Sequence, residues 1–255
     1  MEKTLFSVAD NGIATFIIDR PQRRNAIDYD VMNDLEKALQ ICKDDQSIKA
    51  LIITGSGDKA FCSGGDLEVF HTIKTEEEAT VMLMKMGRIV YELLTLEKPT
   101  VALINGTAVG GGCEIAAACD IRIGSNHSRM GFAQGNLGIT TGWGGGAILF
   151  EKLPYHQALT MLQTAQLYTA QEGKDFGFLQ YITNYENLTE KADEVLKEMI
   201  QKPTPVLVAY KQVVKRKWEQ SNLWDRIRIE ILTCAKLWES EPHYLAVEKF
   251  MMKSK

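Results

Sequence analysis

The run Ala50-Leu51-Ile52-Ile53-Thr54 constrains this chain most, because a strand that is apolar at successive positions must be buried on both faces. Gly55-Ser56-Gly57 ends it, and Pro99 opens a second strand over 100–104, with a long helical pattern over about 76–95 between them. Upstream, residues 4–8 and 12–18 alternate about Asn11-Gly12, a hairpin signal that Asp19-Arg20-Pro21 breaks. From Asp28, an N-cap, Val31, Met32, Leu35, Ala38, Leu39 and Cys42 recur at helical spacing. Strand, helix, strand, helix in this order predicts an α/β fold with parallel strands.

Beyond residue 105 glycines come in bursts, at Gly106, Gly110-Gly111-Gly112, Gly131, Gly135, Gly138, Gly142 and Gly144-Gly145-Gly146, with short strands expected at about 119–124 and 129–132. After Pro154 the pattern turns mostly helical. Thr169 starts a short helix that Gly177 stops, strand 179–183 follows, and helices are expected at about 186–200, 204–219 and 221–239 with a last one towards the C-terminus. This divides the chain into an α/β core over 1–200 and a helical region over 201–255. The stretch from Val69 to about Thr80 reads as a mobile loop.

At 255 residues the chain can bury a full core without disulfides. Its five cysteines, Cys42, Cys62, Cys113, Cys119 and Cys234, form no Cys-x-x-Cys pair and read as buried thiols. The four histidines show no metal-ligand spacing. A net charge of −4 gives no broad attraction to nucleic acid or anionic membrane. The N-terminus resembles neither a signal nor a transit peptide, and no apolar run approaches a membrane span, so a cytoplasmic protein is expected.

Two segments carry candidate chemistry: Cys62-Ser63-Gly64-Gly65-Asp66-Leu67 and Gly110-Gly111-Gly112-Cys113-Glu114. Each follows an expected strand and puts glycines where a helix should begin. There, unpaired N–H groups and a partial positive charge face outward, and glycine lets a ligand approach the backbone closely. Two such N–H groups aimed at one point make an oxyanion hole; taken singly, a glycine turn is better explained by a tight turn or close packing. Neither segment is a phosphate loop.

Together with Asp19-Arg20-Pro21, Arg23-Arg24-Asn25-Ala26, Lys98-Pro99-Thr100, Asn105-Gly106, Ala118-Cys119-Asp120, Leu137-Gly138, the glycines of 142–146 and Thr169-Ala170-Gln171-Glu172, these segments resemble the crotonase (enoyl-CoA hydratase/isomerase) superfamily over essentially the whole chain. The resemblance implies a spiral of strand-strand-helix turns with a helical C-terminal trimerisation region, assembled as a trimer or dimer of trimers. It implies an acyl-CoA thioester as substrate, with coenzyme A as part of the substrate and no separate cofactor or metal. The oxyanion-hole donors map to the backbone of Gly65 and Gly111, and the adenine to the segment Cys62, Ser63, Gly64, Gly65, Asp66 and Leu67. By position Arg23, Arg24 and, as a looser match, Lys249 are the candidates for the CoA phosphates, with Ala26 in the same first motif; any single one of the three basic residues reads equally as solvated surface charge.

Hydratases of this family use two glutamates twenty positions apart. The first maps to Glu114, and the second falls on Gln134. An amide donates and accepts hydrogen bonds but takes up no proton at ordinary pH, and general acid–base steps supply about 10²–10⁴-fold in rate. Efficient two-glutamate hydration is therefore not expected. Glu114 reads as a general acid or base with a burial-raised pKa, or as a cap near its own helix start. Leu137-Gly138-Ile139-Thr140-Thr141-Gly142-Trp143-Gly144-Gly145 resembles the corresponding turn of methylmalonyl- and ethylmalonyl-CoA decarboxylases of the superfamily. Loss of CO₂ makes an enolate without a base. Against this, an ionised Glu114 would repel a substrate carboxylate by about 4 kcal/mol at ~4 Å in an effective dielectric near 20. Specialised hydratase or isomerase chemistry, malonyl-type decarboxylation and non-catalytic acyl-CoA binding all stay open at this point. Trp143 reads as core, as a wall of the acyl pocket or as a determinant of the reaction.

Overall fold

The computed structural model describes residues 2–253. The chain opens with the hairpin β1 (Thr4–Val8) and β2 (Ile13–Ile18), then α1 (Tyr29–Asp44), β3 (Ala50–Gly55), β4 (Ala60–Cys62), α2 (Leu67–Phe70) and α3 (Glu76–Thr95). It continues with β5 (Thr100–Ile104), β6 (Thr107–Val109), α4 (Gly111–Ala118), β7 (Ile121–Ser125) and β8 (Arg129–Gly131). After a 3-10 turn at Ala133–Leu137 come α5 (Gly145–Lys152), α6 (Tyr155–Thr164), β9 (Tyr168–Thr169), α7 (Ala170–Asp175) and β10 (Tyr181–Thr183). Four helices complete it: α8 (Leu188–Ile200), α9 (Thr204–Gln220), α10 (Leu223–Trp238) and α11 (Glu241–Lys253).

Six strands form one sheet in the order β1-β2-β3-β5-β7-β10, parallel except for the β1–β2 hairpin. Because side chains alternate faces along a strand, its central strands need apolar residues on both sides. Ala50 and Ile52 face Leu188, Ala192 and Leu196 of α8, whereas Leu51 and Ile53 join the larger core under α1, α3 and α4. That is why the 50–53 run has no polar alternate. α1 starts where Asp28 accepts hydrogen bonds from the Asp30 and Val31 amides at 3.1 Å, a cap that contributes about 1 kcal/mol.

A second sheet, β4-β6-β8-β9, stacks the short strands that follow β3, β5 and β7. Asn105 fixes this layer. Its Nδ2 donates to the Gly57 and Ala60 carbonyls at 2.6 and 3.1 Å, and its Oδ1 accepts from the Gly55 amide at 3.2 Å. β6 therefore lies parallel to β4, and the glycine turns at their C-terminal ends come side by side.

Of the stretch 69–80, expected as a loop, residues 71–75 lie outside helices, between α2, which ends at Phe70, and α3, which spans the 76–95 expected as helix. Asp66 caps α2 through the Glu68 amide, and a capping box between Thr75 and Glu78 starts α3 at Glu76. Of the C-terminal helices, α10 lies on the core: Ile231 and Cys234 are fully buried, and Trp238 Nε1 donates to the Ile73 carbonyl at 3.2 Å. Among the described residues no helix is long and apolar enough to cross a membrane.

Candidate active site

The two glycine turns meet backbone to backbone. Gly64 has φ +91°, open to glycine at low cost, and a Cβ added there would come within 3.1 Å of the Gly111 amide. Gly110, also at positive φ, turns β6 into α4 and leaves Gly111 as the first helical residue. Ile27 donates to the Gly64 carbonyl and accepts from the Asp66 amide, both at 2.8 Å. In such a parallel bridge the intervening Gly65 N–H faces the other way. Among the described residues, neither the Gly65 nor the Gly111 N–H donates a hydrogen bond. Trp143 covers both positions. A Cβ on Gly111 would collide with its ring, and one on Gly65 would lie 3.7 Å from it.

Below this cover sits Glu114, on the first turn of α4 and 2% exposed. Its side chain caps a different helix from its own, contrary to the alternative of a cap at its own helix start. Oε2 accepts from the Trp143 amide at 2.8 Å and the Gly145 amide at 2.7 Å, where α5 begins. Oε1 accepts from Gln134 Nε2 at 2.8 Å and more weakly from the Gly142 amide at 3.4 Å. Counting twenty positions along the chain thus does bring Gln134 against Glu114. The Gln134 Oε1 is buried and has no hydrogen-bond partner among the described residues. Burial pushes the Glu114 carboxyl up to about 7 and the nearby Glu230 carboxylate adds to the rise, against the backbone N–H groups of Gly145, Trp143 and Gly142, which lower it.

The remaining sequence-derived positions divide by what already holds them. Asp66 is 6% exposed; it accepts from Arg20 at 2.7 Å and caps α2. Arg20 also lies 3.4 Å from Asp28 and donates to the Ala26 carbonyl at 2.6 Å, so Ala26 shares in this clamp. Arg23 pairs with Glu68 on the surface. Arg24 is exposed, in the left-handed region at φ 51°, and its carbonyl accepts from the Ser63 amide at 3.1 Å. The Cys62 side chain is fully buried, while Ser63 and Leu67 are half-buried. Lys249 is exposed on α11 and, like Arg24, has no ion pair among the described residues.

Sequence reasoning missed four contributors. Arg20 appeared only inside a motif, yet it neutralises two buried carboxylates and secures the 63–66 turn. The Gly142 and Gly145 amides, which bond Glu114, carry no side-chain signal. Glu230, on α10, reaches Thr141 at 2.6 Å and the Gly146 and Ala147 amides at 3.0 and 2.7 Å across more than eighty residues of sequence.

The sequence model of the enoyl-CoA hydratase/isomerase family matches residues 8–255. The chain belongs to the enoyl-CoA hydratase/isomerase family. It is 31% identical over 80% of its length to a short-chain-enoyl-CoA hydratase of Clostridium acetobutylicum, covering 78% of that protein. It is 32% identical over 95% of its length to an ethylmalonyl-CoA decarboxylase of Xenopus laevis, covering 81% of it. The fold is that of an enoyl-CoA hydratase from Bacillus halodurans, with a TM-score of 0.89, 24% identity, and 97% and 100% of the two chains covered. Family membership makes the chain an acyl-CoA enzyme.

Proposed function

We propose that this enzyme decarboxylates a malonyl-type acyl-CoA, of the methylmalonyl or ethylmalonyl kind, and protonates the resulting thioester enolate with a single acid, Glu114. The Gly65 and Gly111 N–H groups would hold the thioester oxygen as it becomes negative. The observation that carries the reading is the Glu114–Gln134 contact. A carboxylate has about four acceptor positions, and here four N–H donors address it, one of them from Gln134. Among the described residues, the side chain hydrogen-bonded to Glu114 is the Gln134 amide, which cannot deprotonate a water, and Glu230 is bonded instead to Thr141 and the Gly146 and Ala147 amides.

In the reaction, the bond between the α-carbon and the carboxylate breaks, CO₂ leaves, and the electron pair enters the enolate. A proton from neutral Glu114 then adds to the α-carbon, and solvent returns a proton to Glu114. Burial keeps the neutral form abundant near pH 7, which answers the repulsion between Glu114 and a substrate carboxylate. Half a turn of the Gln134 amide would bring its unpartnered Oε1 to receive the hydroxyl of neutral Glu114. The exposed Arg24 and Lys249 are candidates for the CoA phosphates, with Arg23 shared with Glu68. The Cys62–Leu67 segment is the candidate adenine contact, and residues 201–255 the candidate oligomerisation region, as a trimer or dimer of trimers.

A second reading, hydration or isomerisation of an enoyl thioester by one carboxylate, is supported by the likeness to the Clostridium hydratase. Incubation with ethylmalonyl-CoA in D₂O separates the two. Decarboxylation gives butyryl-CoA carrying one deuteron at the α-carbon by mass, whereas an unchanged thioester with water added to crotonyl-CoA instead would overturn the proposal. A non-catalytic binder would show neither product.

A further inference from the structure

The turn over 141–147 serves two buried carboxylates at once. The Trp143 and Gly145 amides donate to Glu114, and the next two amides, Gly146 and Ala147, donate to Glu230. The glycines are shaped to this division. A Cβ on Gly145 would meet Glu114 Oε2 at 2.8 Å, and one on Gly146 would meet Thr141 Oγ1 at 2.9 Å and Glu230 Oε2 at 3.2 Å. The start of a helix carries roughly half a positive charge, enough to favour one carboxylate but not to balance two.

We propose that Glu230 is a positioning residue for the Glu114 site, anchoring the 141–147 turn to α10 and, by sharing the start of α5, keeping a proton on Glu114. The proposal deepens the single-acid reading and rests on it, since protonation of an enolate requires a neutral Glu114. Burial raises the proton affinity of both groups. The surroundings leave the pair to themselves. On α10, Arg226 is the cation that bears on Glu230, but it donates to Glu151 of α5 at 2.7 Å, which Lys217 of α9 also meets at 2.9 Å. The thiols of Cys113 on α4 and Cys234 on α10 lie beside Glu114 and stay neutral, because burial pushes both up. Thr141 offers a hydroxyl and no charge.

The test is a carboxyl titration by infrared spectroscopy on the substrate-free enzyme, with the Glu114 band assigned from Glu114→Gln. In Glu230→Gln, which keeps an acceptor oxygen for α5, the Glu114 midpoint should fall by roughly one unit, the effect of losing a neighbouring like charge. The pH profile of turnover should move to the acid side with it. In Glu114→Gln the Glu230 band should titrate below the Glu114 midpoint of the natural enzyme, since Glu230 must be ionised while Glu114 still holds its proton, a measurement that decides the matter even if Glu230→Gln does not fold. An unmoved Glu114 midpoint in Glu230→Gln, or a Glu230 midpoint above that of Glu114, would overturn the proposal; a purely structural Glu230 would lower the melting temperature alone. Because no substrate is present, a moved midpoint without decarboxylase activity would contradict the reaction assigned above and leave the role of Glu230 supported.

Discussion

Replacing Gln134 with glutamate puts a second carboxylate where Nε2 now stands, 2.8 Å from Glu114 Oε1. With the two carboxyl carbons about 4 Å apart, two full charges repel by about 4 kcal/mol in an effective dielectric near 20. That corresponds to about three pKa units, so the pair holds one shared proton across neutral pH and titrates as a dyad. The singly protonated pair keeps the present contact, as O–H to O⁻, and gains a base that can take a proton from water. Crotonyl-CoA hydration, followed by loss of enoyl-thioester absorbance, should rise in Gln134→Glu by about 10²–10⁴-fold over the natural enzyme. Decarboxylation of ethylmalonyl-CoA should fall, because the added charge repels the substrate carboxylate. The reasoning is refuted if the natural enzyme already hydrates crotonyl-CoA rapidly and the substitution changes that rate by less than roughly tenfold.

The other consequences concern the walls of the site. Gly111→Ala drives a methyl into the Trp143 ring and should cost about 1–3 kcal/mol by chemical denaturation, with loss of turnover; unchanged stability would mean the ring can move aside. Arg20→Ala leaves Asp66 buried without its cation, a loss of about 3–5 kcal/mol, and should raise KM for the thioester by loosening the 63–66 turn; a KM equal to the parent's would contradict that. Glu114 releases its proton near 7 when folded and near 4.5 when unfolded, so the folded state binds more protons between these values. Stability should therefore decline by about 3 kcal/mol as pH rises from 4.5 to 7 and then level off. Comparing denaturation of the natural enzyme with Glu114→Gln at several pH values isolates this slope, and parallel curves would contradict it.

The parallel sheet was legible because its strands are short, apolar and bounded by glycine or proline, as 50–55 and 100–104 illustrate. The Asp28 and Thr169 caps were legible for the same local reason, since each acts on amides within three residues. Glu114 and Gln134 were paired by resemblance, and both lie on elements whose register β6 and β8 fix together. What escaped was chemistry made across long sequence separations. α5 was hidden among glycines that sequence patterns assign to turns, although Gly145 and Gly146 are glycines because two glutamates approach there. Arg20 and Glu230 look like ordinary surface charges until folding buries the groups they meet. The helical start of α3 at Glu76 was readable as a helix, but the preceding residues were assigned to a loop because α2 is a single turn held by Asp66.

The central claim is that a site with one carboxylate and one amide makes its enolate by losing CO₂. The ratio of kcat/KM for ethylmalonyl-CoA decarboxylation to that for crotonyl-CoA hydration, measured on the same preparation at neutral pH, tests it most directly. A ratio far above one, with both activities carried by folded enzyme and decarboxylation lost in Glu114→Gln, is the predicted result. A ratio far below one would contradict it.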